Sequence, residues 1–279
     1  MKPNKNYKDS VFTKLFGHDE KIILELYNAI FNANCGEDTK IEITTLDEAL
    51  FMDWINDISF VIDGKLVVLI EHQSTINNNM PLRMLIYITK IYEKIRDTRS
   101  LYKKKATALP RPEFVVLYNG KEEYPDRKEL KLSDMFEKYG EENPVNLELV
   151  VQIYNINKGR NPEFAARSTT LDQYEIFVAK VHENEKTMPK KEAIIKAVKD
   201  CSDNGILKEF LRKHSAEVVN MLLREFSMKE AQEVWFEEGV EEGMQQMLDL
   251  LERGYSLTEV KKLLNLNAVR RLREELCRK

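Results

Sequence analysis

The stretch from Asp57 to Gln73 limits the possible folds of this chain more than any other segment. Two apolar runs flank Asp63-Gly64-Lys65, and this pattern is typical of a β-hairpin. The second run, Leu66 to Ile70, contains only aliphatic residues, which suits a strand that is buried on both faces. We therefore expect a hairpin within the core of a sheet.

Polar residues stand at the open end of this hairpin, where a buried charge needs a chemical reason. Asp57 begins the hairpin, and Glu71, His72 and Gln73 end it. Burying a carboxylate is costly unless it is paired or binds a metal. Because side chains alternate along a strand, Glu71 and Gln73 share one face and His72 lies on the other. The alternative is that these residues are ordinary polar strand ends at a sheet edge.

Asp57 reaches the face of Glu71 only under one condition on the length of the turn. In a regular antiparallel pair, the numbers of opposed residues have a constant sum, and opposed residues share a face. A two-residue Asp-Gly turn would place Asp57 opposite Ile70, on the wrong face. An active site here therefore predicts a three- or five-residue loop around Gly64, or a bulge near Asp57.

A family resemblance is carried by these residues and their neighbours. Asp57, followed fourteen positions later by Glu71-His72-Gln73, resembles the D…(D/E)-x-K core of the PD-(D/E)XK nuclease superfamily, with Gln73 where lysine is usual. The run from Asn56 to Ile88 is similar to the recombination-promoting nuclease, or transposase-like, family within it. FTKLFG and FVVLYNG, which begin at Phe12 and Phe114, extend the likeness over roughly two thirds of the chain.

The resemblance implies both a fold and an activity. The expected fold is α/β (α+β), with a restriction-endonuclease-like αβββαβ core, a mixed sheet flanked by helices and an all-helical C-terminal extension. The expected activity is metal-dependent DNA endonuclease hydrolysis of phosphodiester bonds, of recombination-promoting, transposase-like or mobile-element-defence type. Asp57, Glu71 and Gln73 are the implied catalytic residues. Mg²⁺, or else Mn²⁺ or Ca²⁺, would bind Asp57, Glu71 and the backbone carbonyl of His72, because Mg²⁺ prefers oxygen ligands.

Gln73 departs from the superfamily pattern and leaves a second function open. A glutamine amide donates and accepts hydrogen bonds, but it carries no charge and is a poor base. It can orient a water molecule, so proton removal would fall to the metal or the substrate. The alternative function is a non-cleaving DNA-binding or oligomeric scaffold protein with a degenerate nuclease fold.

A helix that begins near Pro81 supplies the predicted DNA-binding residues. Its predicted apolar face consists of Leu82, Leu85, Ile86, Tyr92 and Ile95. A second stripe at spacings of four and three carries Arg83, Tyr87, Lys90 and Lys94. Basic residues with an aromatic beside a metal site suit contact with the DNA backbone, and we predict this role for Arg83, Tyr87 and Lys90. The alternative is a solvated helix face.

Two other segments carry weaker predictions. Glu25 lies beside the apolar face of a helix near the N-terminus, where some members of the superfamily bring an acid towards the metal. A solvated surface acid is the alternative. Residues 121–143 are charged, and we expect a surface excursion with a short helix near Leu132 to Tyr139.

The composition shifts near Pro189, and everything beyond it reads as helix. We therefore predict a nuclease-like domain at 1–187 and a helical extension at 188–279. A short coiled-coil-like seam with spacings of four and three predicts a homo-oligomer, and it consists of Val240, Met244, Met247 and Leu251. The final helical pair, near residues 256–276, is either a DNA-reading helix-turn-helix or a packing hairpin.

The overall charge and the apolar pattern exclude several classes of protein. A net charge of −4 does not suit a protein that coats nucleic acid generally, so any DNA-binding surface must be local. No apolar run approaches the ~18–20 residues that span a bilayer. The N-terminus lacks the apolar core of a signal peptide. Three widely spaced cysteines match neither a disulfide framework nor a zinc motif. We expect a cytoplasmic protein with DNA as its partner.

Overall fold

A mixed six-stranded sheet forms the centre of the computed structural model, which describes residues 10–45, 57–137, 145–223, 247, 250–251, 255–256 and 259–260. Its strands are β1 Ile41–Ile43, β2 Ile58–Ile62, β3 Leu66–Gln73, β4 Arg111–Tyr118, β5 Arg127–Lys131 and β6 Val150–Asn155. The α-helices are α1 Val11–Phe16, α2 Glu20–Phe31, α3 Met80–Ile95, α4 Pro162–Arg167, α5 Thr169–Glu185 and α6 Lys190–Asp203. Residues 208–223 are also helical. Short 3₁₀ helices span Thr98–Tyr102 and Leu132–Met135.

The order of the strands confirms the expected αβββαβ core. The sheet runs β1-β2-β3-β4-β6-β5. Strands β1, β2 and β3 are antiparallel neighbours, whereas β3, β4 and β6 run parallel and β5 returns antiparallel at the edge. Helix α2 precedes the three-strand meander, and α3 makes the crossover from β3 to β4. The carboxyl ends of β3, β4 and β6 therefore meet at one edge of the sheet.

Alternation along β3 divides the core between two layers of helix. Val67 and Leu69 lie on one face and pack with Met84 of α3 in a single apolar cluster. On the other face lies His72, whose ring stacks on Phe12 of α1. Since both faces of β3 are covered, the uninterrupted aliphatic sequence of this strand is explained.

The turn of the β2–β3 hairpin has the odd length that an active site requires. Ile62 pairs with Leu66, so three residues connect the strands, and the prediction of a three-residue loop is confirmed. Asp63 and Gly64 have positive φ values of 49° and 67°, a conformation that glycine and aspartate tolerate best. The Asp63 carboxylate accepts from the backbone N–H of Lys40 at 3.1 Å. This bond ties the turn to the residue that precedes β1.

Glu25 caps a helix, and both expectations for this residue, a metal-directed acid or a solvated one, are wrong. One carboxylate oxygen accepts from the Thr170 N–H at 3.0 Å and from the Ser168 hydroxyl at 2.8 Å. The other accepts from the Thr170 hydroxyl at 3.1 Å. A carboxylate at the N-terminus of α5 satisfies N–H groups that lack intrahelical partners, so its role is structural.

Two further local predictions need correction. The buried face of α3 carries Met84, Tyr87, Ile88 and Ile91, whereas Leu82, which was placed in that face, is 45% exposed. Residues 127–131 form the charged edge strand β5, where the sequence predicted only a surface excursion. The predicted helix near Leu132 is a four-residue 3₁₀ turn, and its predicted end at Tyr139 lies outside the described residues.

The chain divides into two compact units, Met1–Leu222 and Leu223–Lys279. Helix α6 packs against α5 inside the first unit. The predicted boundary at 187/188 and the role of the extension in oligomerisation stay predictions. Half of the predicted seam, Val240 and Met244, and most of the final helical pair lie outside the described residues. None of the described helices is both long enough and apolar enough to cross a bilayer.

A buried acid on α5 makes the stability of the fold depend on pH. Glu175 is 4% exposed, and its Oε1 has no hydrogen-bond partner among the described residues. Burial, with a further contribution from Asp172, raises the pKa of Glu175 to about 8. The folded state therefore holds a proton that the unfolded state releases near pH 4.5. The contribution of this protonated carboxyl to the free energy of unfolding is complete below about pH 4.5 and is lost as the pH rises towards 8.

We predict that Glu175→Gln raises the free energy of unfolding by about 1–3 kcal/mol at pH 9 and changes it little at pH 4. The amide cannot ionise, so the decline in stability between pH 5 and 8 should flatten. Urea denaturation at several pH values measures this. Glu183→Gln, at an exposed acid on the same helix, is the matched control and should leave the slope unchanged. Equal pH slopes for wild type and Glu175→Gln would contradict the assignment.

Candidate active site at the base of the hairpin

Asp57 and Glu71 face each other at the open end of the hairpin. Ile58 pairs with Ile70, and continuing this register by one residue sets Asp57 opposite Glu71. The backbone N–H of Asp57 donates to Glu71 Oε1 at 3.1 Å. In return, Asp57 Oδ2 accepts from the backbone N–H of His72 at 2.7 Å. Each carboxylate is thus held by the backbone of the opposite strand, which fixes both in one place.

Arg83 is the counter-ion of Glu71. Glu71 is only 2% exposed, and its second oxygen, Oε2, accepts from Arg83 Nη2 at 3.0 Å. Arg83 also donates through Nη2 and Nε to the Tyr87 hydroxyl, at 2.8 and 3.2 Å. Both residues lie on α3, one turn apart, so the helix brings a guanidinium to the carboxylate at the strand end.

The charge states in this cluster follow from its burial. Burial opposes the charge on Arg83, but the Glu71 carboxylate and then the Tyr87 hydroxyl outweigh it, so the pKa of Arg83 is raised. Burial, followed by the negative charge of Glu71, raises the pKa of Tyr87 to about 12. Arg83 is therefore a cation at neutral pH, and Tyr87 is a neutral phenol that orients it.

Gln73 lies on the face of Glu71, where alternation along the strand places it. Its side-chain Nε2 donates to the sulfur of Met80 at 2.7 Å. Arg83 Nη1 lies 3.6 Å from the same sulfur. A thioether is a weak acceptor, so this contact places the amide without holding it strongly. Met80 could not be connected with the site from the sequence, because no spacing rule links it with the hairpin.

The His72 side chain lies on the opposite face, as predicted from strand alternation. Its ring is stacked on Phe12, with centroids 4.6 Å apart and planes 9° from parallel. His72 Nε2 is 3.0 Å from the Tyr174 hydroxyl. The imidazole thus belongs to the packing between β3 and the helices on that face. Metal binding through the backbone carbonyl of His72 stays a prediction.

The three predicted DNA-binding residues do not form one solvent-facing row. Tyr87 is 1% exposed and lies in the core between α3 and the sheet. The Arg83 side chain is 24% exposed and is directed to Glu71. Lys90 is half-buried farther along α3. DNA contact by these residues stays a prediction, but Arg83 and Tyr87 now have a defined structural connection to the two carboxylates.

The carboxylates of Asp57 and Glu71 are ligands of the type that a hard divalent cation prefers, although they are few. Among the residues that the structure describes, no group of three or more His, Cys, Asp or Glu side chains has an arrangement that could hold a metal. Mg²⁺ usually binds one or two protein carboxylates and completes its shell with water and substrate phosphate. Asp57 and Glu71 provide two carboxylates, and the cation position beside Glu71 is held by Arg83.

The comparison with known families agrees with this geometry. An αβββαβ core with carboxylates at the base of its second and third strands defines a PD-(D/E)XK-type domain. The family model described as "Putative transposase, YhgA-like" matches residues 51–233, about two thirds of the chain. The chain therefore belongs to this transposase family. Comparisons with curated proteins and with solved structures give no significant match.

We predict that Arg83→Met lowers the free energy of unfolding by about 2–4 kcal/mol, because it leaves the buried Glu71 carboxylate without this guanidinium. Adding Glu71→Gln should recover at least half of the loss, since the amide needs no counter-ion. A double-mutant cycle by chemical denaturation measures the coupling. Lys90→Met on the same helix is the control and should change stability by less than about 0.5 kcal/mol. Additive effects of the two substitutions would contradict the pairing.

Proposed function

We propose that this protein is a Mg²⁺-dependent DNA endonuclease of transposase-like or recombination-promoting type. The observation that carries the proposal is the opposition of Asp57 and Glu71 at the hairpin base, on the face that Gln73 shares. Membership of a transposase family supports DNA as the substrate. A second carboxylate, the half-buried Asp57, beside the buried Glu71 adds a desolvation cost that is explained if the two acids serve a cation.

Asp57 and Glu71 would hold the metal, with the backbone carbonyl of His72 as a third oxygen ligand. When bound, such an ion polarises the scissile phosphoryl group and lowers the pKa of a coordinated water. The hydrogen bonds that link each carboxylate to the opposite strand keep both in position before the ion arrives. This preorganisation limits the conformational entropy that binding would otherwise cost.

Arg83 would have to change partner if a metal were bound by Glu71. A divalent ion would compensate the carboxylate that the guanidinium now compensates, so the two would compete for Glu71. A released guanidinium on α3 remains near the site and can pair with a phosphate oxygen of the substrate in a charge-assisted hydrogen bond. Arg83 would thus exchange a carboxylate for a phosphate as the substrate is bound.

Gln73 would orient the attacking water. Its amide contacts the sulfur of Met80, a weak acceptor that a water molecule can readily replace. The amide cannot take the proton, so the proton must pass to the substrate phosphate or to solvent. We therefore expect slower cleavage than in relatives of the superfamily that carry lysine at this position.

A second function is favoured by the same ion pair. Arg83 already compensates Glu71, so this carboxylate does not require a metal as its counter-ion. Gln73 lacks the charge of the usual lysine, which disfavours cleavage. A domain of this kind can bind DNA without cutting it. The second candidate is therefore a non-cleaving DNA-binding member of the transposase family.

A nicking assay separates the two functions. We predict that the purified protein nicks supercoiled plasmid in Mg²⁺ and not in EDTA, and that Asp57→Asn and Glu71→Gln each reduce the rate at least about 100-fold. Asp63→Asn, at the other end of the same hairpin, is the matched control and should cut at nearly the wild-type rate.

Two results would contradict the endonuclease. Equal nicking by wild type and by both carboxylate variants would place the activity elsewhere or in a contaminant. DNA retention without any Mg²⁺-dependent nicking would favour the non-cleaving alternative.

A further inference from the structure

A cavity lined by polar residues lies beside the carboxyl ends of β4 and β6 and has a volume of about 600 Å³. Asn119, which follows β4, donates its N–H to the carbonyl of Gln73 at 2.9 Å. The segment after β4 that lines the cavity is therefore joined directly to β3, the strand of the candidate active site. A Cβ at Gly120 would lie 2.3 Å from the Ser74 carbonyl oxygen, so only glycine allows this approach. The cavity therefore adjoins the strand end that bears Glu71 and Gln73.

Several buried polar atoms at this cavity have no hydrogen-bond partner among the described residues. Tyr124 lines the cavity and is 7% exposed, and its hydroxyl is unsatisfied. Glu185 also lines it, with a side chain that is 10% exposed, and neither carboxylate oxygen makes a hydrogen bond. Oε2 lies 2.8 Å from Lys121 Nζ, close enough for an ion pair but outside hydrogen-bond geometry. Leaving such buried groups unsatisfied is unfavourable, and a ligand with matching hydrogen-bonding groups would relieve that cost.

The frame of the cavity is held by amide hydrogen bonds. Asn157 Nδ2 donates to the Gly120 carbonyl at 3.0 Å and to Asn155 Oδ1 at 2.9 Å. Asn155 Nδ2 donates to the Tyr124 carbonyl at 2.9 Å. The unsatisfied groups therefore stand in a framework that is already formed, as is usual for a binding pocket.

The cavity has a buried acidic wall, and its exposed rim carries both signs of charge, because Glu122 and Glu123 stand there beside the basic side chains. The buried acceptor groups belong to Glu185, whereas Lys121 and Lys186 on the rim are exposed. Arg160 adds a third basic side chain, which is paired with Asp126 at 2.8 Å. A fitting ligand presents hydrogen-bond donors to the interior and negative charge to the basic side chains of the rim. A nucleotide whose base carries donors has this arrangement.

We propose that this cavity binds an unstacked guanine of a DNA strand, with its Watson–Crick edge on Glu185 and its phosphate towards Lys121. The N1–H and the exocyclic amino group of guanine are adjacent donors that match the two oxygens of a carboxylate. The other three bases place an acceptor beside their donor on this edge. Unstacked bases are commonly recognised by their Watson–Crick edge. The proposal rests on the proposed function, because that function makes DNA the substrate and places its strand at the neighbouring sheet edge.

Binding of dGMP and of short oligonucleotides to the full-length protein in EDTA tests the proposal. We expect saturable dGMP binding by calorimetry, at least fivefold tighter than binding of dAMP, dCMP or TMP. A single guanine in d(TTTGTTT) should likewise bind at least fivefold tighter than d(TTTTTTT). Glu185→Gln should weaken dGMP binding at least tenfold, because the amide replaces one acceptor by a donor. Tyr124→Phe removes only the hydroxyl and should weaken it about threefold.

The control separates this cavity from the candidate active site. Asp57→Asn should bind dGMP as wild type does, and loss of binding in that variant alone would place the base at the hairpin and overturn the inference. Equal binding of all four mononucleotides, or dGMP binding unaffected by both Glu185→Gln and Tyr124→Phe, would also overturn it. A protein that binds dGMP through Glu185 yet cuts no plasmid would retain this inference while the endonuclease fails. Thermal melting confirms that each variant is folded.

Discussion

The odd length of one turn determines whether this chain has a candidate active site at all. Three residues join β2 to β3, and this places Asp57 opposite Glu71. A connection of two residues would shift the register by one and turn the aspartate to the other face of the sheet. The positive φ values of Asp63 and Gly64 make the turn possible. The chemistry of the site thus depends on local backbone conformation several residues away.

The buried ion pair then sets how the site behaves electrostatically. A carboxylate that is almost inaccessible to water needs a cation, and Glu71 has one in Arg83. Because Tyr87 orients that guanidinium from within the core, the pair is supported by the packing of α3. Under the proposed function, a divalent ion would compete with this pair, so metal binding would be coupled to the position of the Arg83 side chain. The same pair would allow a member of the family to keep the fold without cutting DNA.

The hairpin was predictable from sequence because side chains alternate between the two faces of a strand with a fixed period of two residues. The helices were harder to predict, because α3 carries apolar residues on several sides. Its packing on the sheet places Met84 and Tyr87 in the core and leaves Leu82 exposed. Glu25 was misassigned because its partners are 143 and more residues away in the chain. The charged strand β5 has no apolar alternation and is formed by its pairing with β6. Because such pairing involves residues that are distant in the chain, the local sequence contains no pattern from which it could be predicted.

Anomalous diffraction from crystals soaked in Mn²⁺ tests the central claim most directly. The account predicts a peak within about 2.2 Å of carboxylate oxygens from both Asp57 and Glu71, with the Arg83 guanidinium moved off Glu71. A structure at saturating Mn²⁺ with no peak there and the Arg83–Glu71 pair intact would contradict it.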